Sequence, residues 1–320
     1  MSGAPTAQAT RYVAERLNAD FGFYLSDRRL LAERQSAWQH IEVFDNPQFG
    51  RVMRIDGCFM TSERDEFFYH EPMVHLPAIA HPGVRRALVV GGGDGGAAEE
   101  LLKLPGIEQV VLAELDGEVI AMARDWLGQI HRGAFDDPRL TLHLGDGRAF
   151  IESCESQFDQ VVLDLTDPFG PAVALYTCEF YRACRRALRP GGVLSLHVQS
   201  PIHRGPTMAR LMASLQSVFP VVRPYLQYVP LYGTLWAMAM ASDRVDPLTL
   251  TAAQVDARLA GHGLTDLQLY GGDTHHALLS LPPFVKRLLA EPARPVVDGD
   301  SLDDPSLDPC ADRPLRLVRD

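Results

Sequence analysis

The sequence predicts an α/β protein: a doubly wound, mostly parallel sheet preceded by a small antiparallel β unit. Three observations predict it. The apolar run Arg86 to Val90 empties into the glycine-rich loop Gly91–Gly96, and Ala97 to Leu104 follows with helical character. Strand-like and helix-like segments then alternate as far as Val198. Ahead of the loop, Trp38 to Thr61 has the short period of antiparallel strands and the tight-turn pair Asp56-Gly57.

Residues 1 to about 35 carry helical and turn signals without a chemical motif. Ile41–Phe44, Gly50–Ile55 and Cys58–Thr61 read as strands. The acidic, aromatic stretch Thr61–Glu71 reads as a capped surface turn before an apolar helix through Val74, Leu76 and Ile79. Val110–Glu114, Leu140–Leu144, Gln160–Leu163 and Val193–Val198 continue the sheet, with helices at Glu118–Leu127 and Glu179–Leu188. Arg189-Pro190-Gly191-Gly192 reads as the stop of the second helix. Val221–Leu226 and Leu235–Ala241 suit a closing hairpin, with Met238 and Met240 as core filler. Thr251–Leu259 and Phe284–Leu289 read as helices, and the pair His275-His276 as surface residues in a turn-rich stretch. Ala293 to Asp320, rich in Asp and Pro, reads as a mobile tail. The expected division is therefore an N-terminal β domain over 1–77, a catalytic domain over 78–292 and a tail over 293–320.

A chain of 320 residues that is 46% hydrophobic can bury a sizeable core. Its formal charge of −11 and pI near 5.4 argue against nucleic acid or an anionic membrane as partner, since either demands a basic face. Cys58, Cys154, Cys178, Cys184 and Cys310 are odd in number and lack metal-ligand spacing, which suits reduced thiols in a cytoplasmic protein. No apolar run approaches the ~20 residues of a membrane span, and the first residues lack a signal-peptide core.

The loop carries the first chemical signal. Its glycines let the backbone turn sharply beside a helix N-terminus, which favours a nucleotide-like ligand. Gly91-x-Gly93-x-x-Gly96 also satisfies the dinucleotide fingerprint, so a nicotinamide enzyme has to be weighed. Asp94 in the middle of the loop repels a pyrophosphate and attracts a cation, which points to a nucleoside carrying positive charge.

Ligands of an open parallel sheet bind beyond the carboxyl ends of its strands, and four strands end there in acids: Asp94, Glu114, Asp146 and Asp164. Glu114 is placed to accept from both ribose hydroxyls. Asp146 can accept from an adenine amino group, with Gly147 offering its backbone. Asp164 and Asp167 then stand in the stiff segment Asp164-Leu165-Thr166-Asp167-Pro168-Phe169-Gly170-Pro171. Paired acids are of little use beside a nicotinamide. They suit amine alkylation, in which a carboxylate holds an ammonium and takes its proton before the nitrogen attacks carbon.

These residues carry a family resemblance. Phe49–Gly57 (FGRVMRIDG), Glu63–Glu71 (ERDEFFYHE), the GGGDGG loop, Phe135–Arg139 (FDDPR), Gly145–Gly147, Asp164–Ala172 (DLTDPFGPA) and Glu179–Gly192 (EFYRACRRALRPGG) resemble the polyamine aminopropyltransferases, the spermidine synthase family, over about Ala37 to Pro292. The resemblance implies a Rossmann-like sheet of the class I methyltransferase type. It implies transfer of an aminopropyl group from decarboxylated S-adenosylmethionine to a small cationic amine, putrescine foremost, with release of 5′-methylthioadenosine. The sulfonium donor would be a co-substrate, with no permanently bound cofactor and no metal. Carried over by motif, Gln39, Glu114, Asp146, Gly147 and Pro171 would hold the nucleoside beside Gly91 and Gly93. His70, Asp94 and Asp167 would hold the amine, Tyr69 and Tyr232 would wall its channel, and Asp164 would accept the proton. A homodimer or homotetramer assembled through the N-terminal β unit would follow.

Three positions depart from the family pattern near the acceptor. His197 replaces a usual glutamine, Gln199 stands where an acid is common, and Leu231 follows Pro230 in place of threonine. The acidic tail lies outside the pattern. Two other readings compete: an amine N-methyltransferase using S-adenosylmethionine, and a catalytically silent polyamine-binding protein.

Overall fold

The computed structural model describes residues 11–17 and 20–302. The described part of 11–35 forms three strands, in place of the helical and turn structure its sequence suggests: β1 (Arg11–Arg16), β2 (Gly22–Asp27) and β3 (Arg29–Gln35). The reason is visible in β1, where Val13 and Glu15 share the buried face. An acid at a core-facing position hides the period of two. β1 and β2 pair as a hairpin, while β3 joins β4 (His40–Asn46), β5 (Gly50–Ile55) and β6 (Cys58–Ser62) in an antiparallel sheet of that order.

Helix α1 (Phe67–Ala80) leads into the second unit, and every residue from Tyr69 to Ile79 is buried. The stretch before it is not a surface turn. Asp65 accepts from the backbone N–H of Leu231 at 2.7 Å. Glu71 accepts from those of Gln268, Leu269 and Tyr270 at 2.7, 2.8 and 2.9 Å. Buried carboxylates are tolerated where such donors replace water.

The large sheet has seven strands in the order β12-β13-β11-β10-β7-β8-β9. These are β7 (Arg86–Gly91), β8 (Gln109–Glu114), β9 (Leu140–Leu144), β10 (Phe158–Asp164), β11 (Leu188–His197), β12 (Val221–Val229) and β13 (Thr234–Ser242). β7 to β11 run parallel, and β13 turns antiparallel to both neighbours as the expected hairpin. The segment Arg189–Gly192, read as a helix stop, loops out of β11 between residues 188 and 193, which pair with 158 and 160 of β10.

Alternate residues of β7 feed the two faces of this sheet: Val89 packs on one side, Leu88 and Val90 on the other. The first face is covered by α1 with α2 (Gly96–Leu102), α3 (Gly117–Trp126) and α4 (Gly128–His131). The opposite face carries α5 (Gly147–Glu152), α6 (Cys178–Ala187) and α7 (Gly205–Gln216). α8 (Ala252–Gly261) and α9 (Gly272–Leu279) return to the first face, and α10 (Pro283–Ala290) packs on α7. His275, expected at the surface, is fully buried in α9, where its ring bonds the Tyr270 hydroxyl and the Pro247 carbonyl.

The expected mobile tail is seated through Leu302. Val296 is buried, accepting from Cys178 N–H at 2.9 Å and donating to Ser214 Oγ at 2.8 Å. Asp298 and Asp300 pair with Arg148 and Arg210. Its acids are thus ion-pair partners for cations far away in sequence. Residues 303–320, with Cys310, lie outside the described residues.

Candidate active site

β7 and β10 are neighbours at the point where strand order reverses, and Gly91 pairs with Asp164. Glycine is required there: Gly91 has φ +78°, and a Cβ would lie 2.2 Å from the Asp164 carbonyl oxygen. The chain then turns so that Asp94 accepts from the Gly96 N–H at 3.0 Å. The His70 ring, rising from α1, lies against Gly96 so closely that a Cβ would come within 2.2 Å of it.

Three side chains meet at this point. His70 Nε2 is 3.6 Å from Asp94 Oδ2 and 3.8 Å from Asp164 Oδ2, while its Nδ1 is bonded to Glu66 Oε2 at 2.9 Å. The donor atoms of His70, Asp94 and Asp164 lie within 4.8 Å of one another. Burial works against charge on His70, yet Asp94, the bonded Glu66 and Asp164 outweigh it and raise its pKa to about 10. Burial raises Asp164 to about 6, with His70 pulling down, Asp94 pushing up and a bond from the Tyr69 hydroxyl pulling down. Its Oδ2 is buried without a hydrogen-bond partner and faces this junction.

The junction opens on a cleft of about 460 Å³, within the usual range for small-molecule sites. Tyr69, His70, Gly91, Asp94, Asp164 and Tyr232 line it around the junction. Gln39, Gly93, Glu114, Asp146, Gly147 and Pro171 line the rest, with Gly93 against the Glu114 carboxylate. Glu114 is raised to about 7, chiefly by burial, and accepts from Asp116 N–H at 2.8 Å. Gln39 crosses from the N-terminal sheet to donate to Asp116 Oδ2 at 3.0 Å. Asp146 caps α5 through Oδ1, which accepts from the N–H groups of Arg148 and Ala149. Its capping role and its place in the cleft therefore coexist.

Asp167 is the one sequence-derived site residue outside the main cleft. It lines two smaller cavities next door; the nearer shares Met60, Tyr69, Leu165, Thr166 and Tyr232 with the cleft. His197 and Gln199 hold the connecting loop: His197 Nε2 is 3.0 Å from the Leu165 carbonyl oxygen, and Gln199 donates to Asp167 Oδ1 at 2.7 Å. Burial lowers the His197 pKa, so a neutral ring with its proton on Nε2 fits this contact.

Several lining residues carried no sequence signal. Met53, Ile55 and Met60 of the antiparallel sheet wall the cleft, and Trp38 stands exposed at its edge. Glu15 of β1 lines both small cavities with Asp167 and accepts from Phe59 N–H at 2.6 Å. Burial, with the Asp167 charge adding to it, raises Glu15 to about 8. The cue available was its spacing from Val13 on a strand whose partners come later in the chain.

A mostly parallel sheet with acids from neighbouring strand ends converging on one cleft defines a Rossmann-like α/β protein with a small-molecule site at its switch point. Comparison with known proteins narrows this. Residues 66–249 match the spermine/spermidine synthase domain and residues 13–63 the spermidine synthase tetramerisation domain. A polyamine aminopropyltransferase of Nitrosomonas europaea is 69% identical over 99% of this chain and 97% of its own length. One from Moorella thermoacetica is 39% identical over 88% and 97%. A spermidine synthase crystallised with the transition-state analogue AdoDATO superposes with a TM-score of 0.84 at 33% identity, covering 91% of this chain and 98% of that one. The spermidine synthase of Thermotoga maritima gives 0.81 at 32% identity over the same shares. The chain belongs to the spermine/spermidine synthase family. The Nitrosomonas relative, aligned over 316 residues, also supplies a counterpart for most of the acidic tail.

Proposed function

We propose that this protein transfers the aminopropyl group of decarboxylated S-adenosylmethionine to putrescine, giving spermidine and 5′-methylthioadenosine. The observation that carries the reading is the pair Asp94 and Asp164 at the amine end of the cleft, Asp94 in the glycine loop that follows β7 and Asp164 at the end of the adjacent β10. Glu114 and Gln39 would hold the ribose side, Asp146 and Gly147 the adenine, with Pro171 closing over it. Asp94 would hold the ammonium of the donor. A negative group there disfavours the carboxylate of intact S-adenosylmethionine and so selects the decarboxylated form.

The acceptor would enter between Tyr69 and Tyr232, whose rings stand edge to face at 6.0 Å. Asp167 would hold its far ammonium, and Asp164 would take the proton of the near one. The freed nitrogen attacks the carbon next to sulfur. The C–N bond forms as the C–S bond breaks, and its electron pair stays on sulfur, neutralising the sulfonium. Holding the two reactants in line supplies much of the rate.

The spacing of His70, Asp94 and Asp164 would also suit a metal ion. The raised pKa of His70 favours the ammonium reading, because a protonated Nε2 has no lone pair for a metal. A homotetramer is part of the proposal, supported by the match of residues 13–63 to a tetramerisation domain. A cytoplasmic setting is supported by the buried thiols Cys154, Cys178 and Cys184, none of them in a disulfide. Among the described residues no helix is long and apolar enough to cross a membrane.

The test is turnover by purified protein with putrescine and either sulfonium donor. Spermidine and methylthioadenosine in equal amounts from the decarboxylated donor support the reading. A methylated amine without methylthioadenosine rejects it.

A further inference from the structure

His70 is 3% exposed and Glu66 2%. Glu66 divides its oxygens: Oε2 takes His70 Nδ1 at 2.9 Å, and Oε1 takes Arg132 at 2.9 Å. Arg132 is also paired with Glu99, which lies beside Lys103. The Glu66 carboxylate is thus braced from outside and directed at one ring nitrogen. Because Nδ1 is committed to it, Nε2 alone faces the cleft, between Asp94 Oδ2 and Asp164 Oδ2.

We propose that Glu66 is a positioning residue which keeps the His70 imidazolium where a substrate ammonium will lodge, so that amine binding drives one proton from His70 into solvent. This rests on the amine reading of the Asp94–Asp164 end of the cleft. Side by side between those carboxylates, two cations repel and lower each other's proton affinity, so the weaker base is the one that gives up a proton. An aliphatic ammonium has an ordinary pKa near 10.4 and imidazolium one near 6.5, so the ring yields. The proton leaves Nε2. Nδ1–H still donates to Glu66, and the Nε2 lone pair then accepts from the incoming ammonium. Without a guest, the elevated pKa of His70 keeps the ring charged and the acids neutralised.

The charged groups that face His70 come from every side. The turn before α1 supplies Asp65 and Glu66, α1 itself the Tyr69 ring, the glycine loop Asp94, and β10 Asp164. Arg132 acts from behind Glu66, and the N-terminus of α2 at Gly96 opposes the positive charge. Tyr232 completes the wall.

The experiment is calorimetric titration of spermidine into the full chain with 5′-methylthioadenosine present, at about pH 8, in buffers of low and high ionisation enthalpy. Wild type is expected to release about one proton per amine bound. Glu66→Gln is expected to release a smaller fraction of a proton, because one of the three carboxylates that hold the ring charged is gone, and Glu66→Asp to restore most of the release. Binding heat that does not change with buffer in the wild type overturns the proposal, whether or not the variants fold. Equal release from Glu66→Gln overturns the role of Glu66. The complete absence of amine binding by the wild type is a separate result, and it strikes the amine reading itself.

Discussion

Gln199 donates to Asp167 Oδ1 at 2.7 Å from a backbone held at φ +77°. A residue other than glycine pays strain for such a conformation. Here it sits just past β11, where its carbonyl accepts from Ala237 N–H at 3.0 Å. An amide at this position orients Asp167 without adding a negative charge to a cavity that already contains Glu15.

Gln199→Ala should therefore act on the acceptor alone. Losing one hydrogen bond to a charged group costs ~1.5 kcal/mol, which is a rise of roughly tenfold in KM for putrescine. Initial-rate kinetics with each substrate varied in turn check this. The KM of the decarboxylated donor should stay as it was.

Asp164→Asn should lower kcat by about 10²–10⁴ while amine binding survives, because an amide nitrogen takes no proton. Turnover and equilibrium binding of putrescine should be measured separately. Unchanged turnover would refute the assignment of the base.

The pH profile follows from the same residue. Asp164 acts only when ionised, and its pKa is raised to about 6, so kcat should climb with pH through that value. An unperturbed aspartate would place the rise about two units lower. The measurement is kcat at saturating concentrations of both substrates between pH 5 and 8.

Glu15 gives a stability prediction with a definite sign. Folding raises its pKa from 4.5 to about 8, so the folded state binds the proton more tightly than the unfolded chain. Its contribution is fully present below about pH 4.5, declines as pH rises and is lost above about 8. Glu15→Gln keeps an acceptor for Phe59 N–H and removes the buried charge. It should raise Tm by a few degrees at alkaline pH and by almost nothing at pH 4.5, as thermal melts at both values would show.

The grouping of acids around the cleft was legible in sequence for a topological reason. A parallel sheet brings every strand terminus to one edge, so Asp94, Glu114, Asp146 and Asp164 could be grouped before any distance was known. The stretch before α1 was misread because its acids find partners far along the chain: Leu231 for Asp65, Arg132 for Glu66, and Gln268 to Tyr270 for Glu71. No local window contains those donors. Glu15 escaped for the same reason, since Phe59 N–H lies three strands of the antiparallel sheet away in sequence. His197 and Gln199 were noticed as departures, but their hold on the Asp164–Asp167 loop is a matter of side-chain direction.

The seated start of the tail reaches the chemistry through one arginine. Arg148 lines the cleft directly after Gly147, and both oxygens of Asp298 grip its guanidinium. Asp298 is also bonded to Thr177, the residue that caps α6. A chain cut short before Arg294 would release that clasp, leaving the wall around Gly147 slack while Asp94 and Asp164, which the tail does not touch, kept their stance.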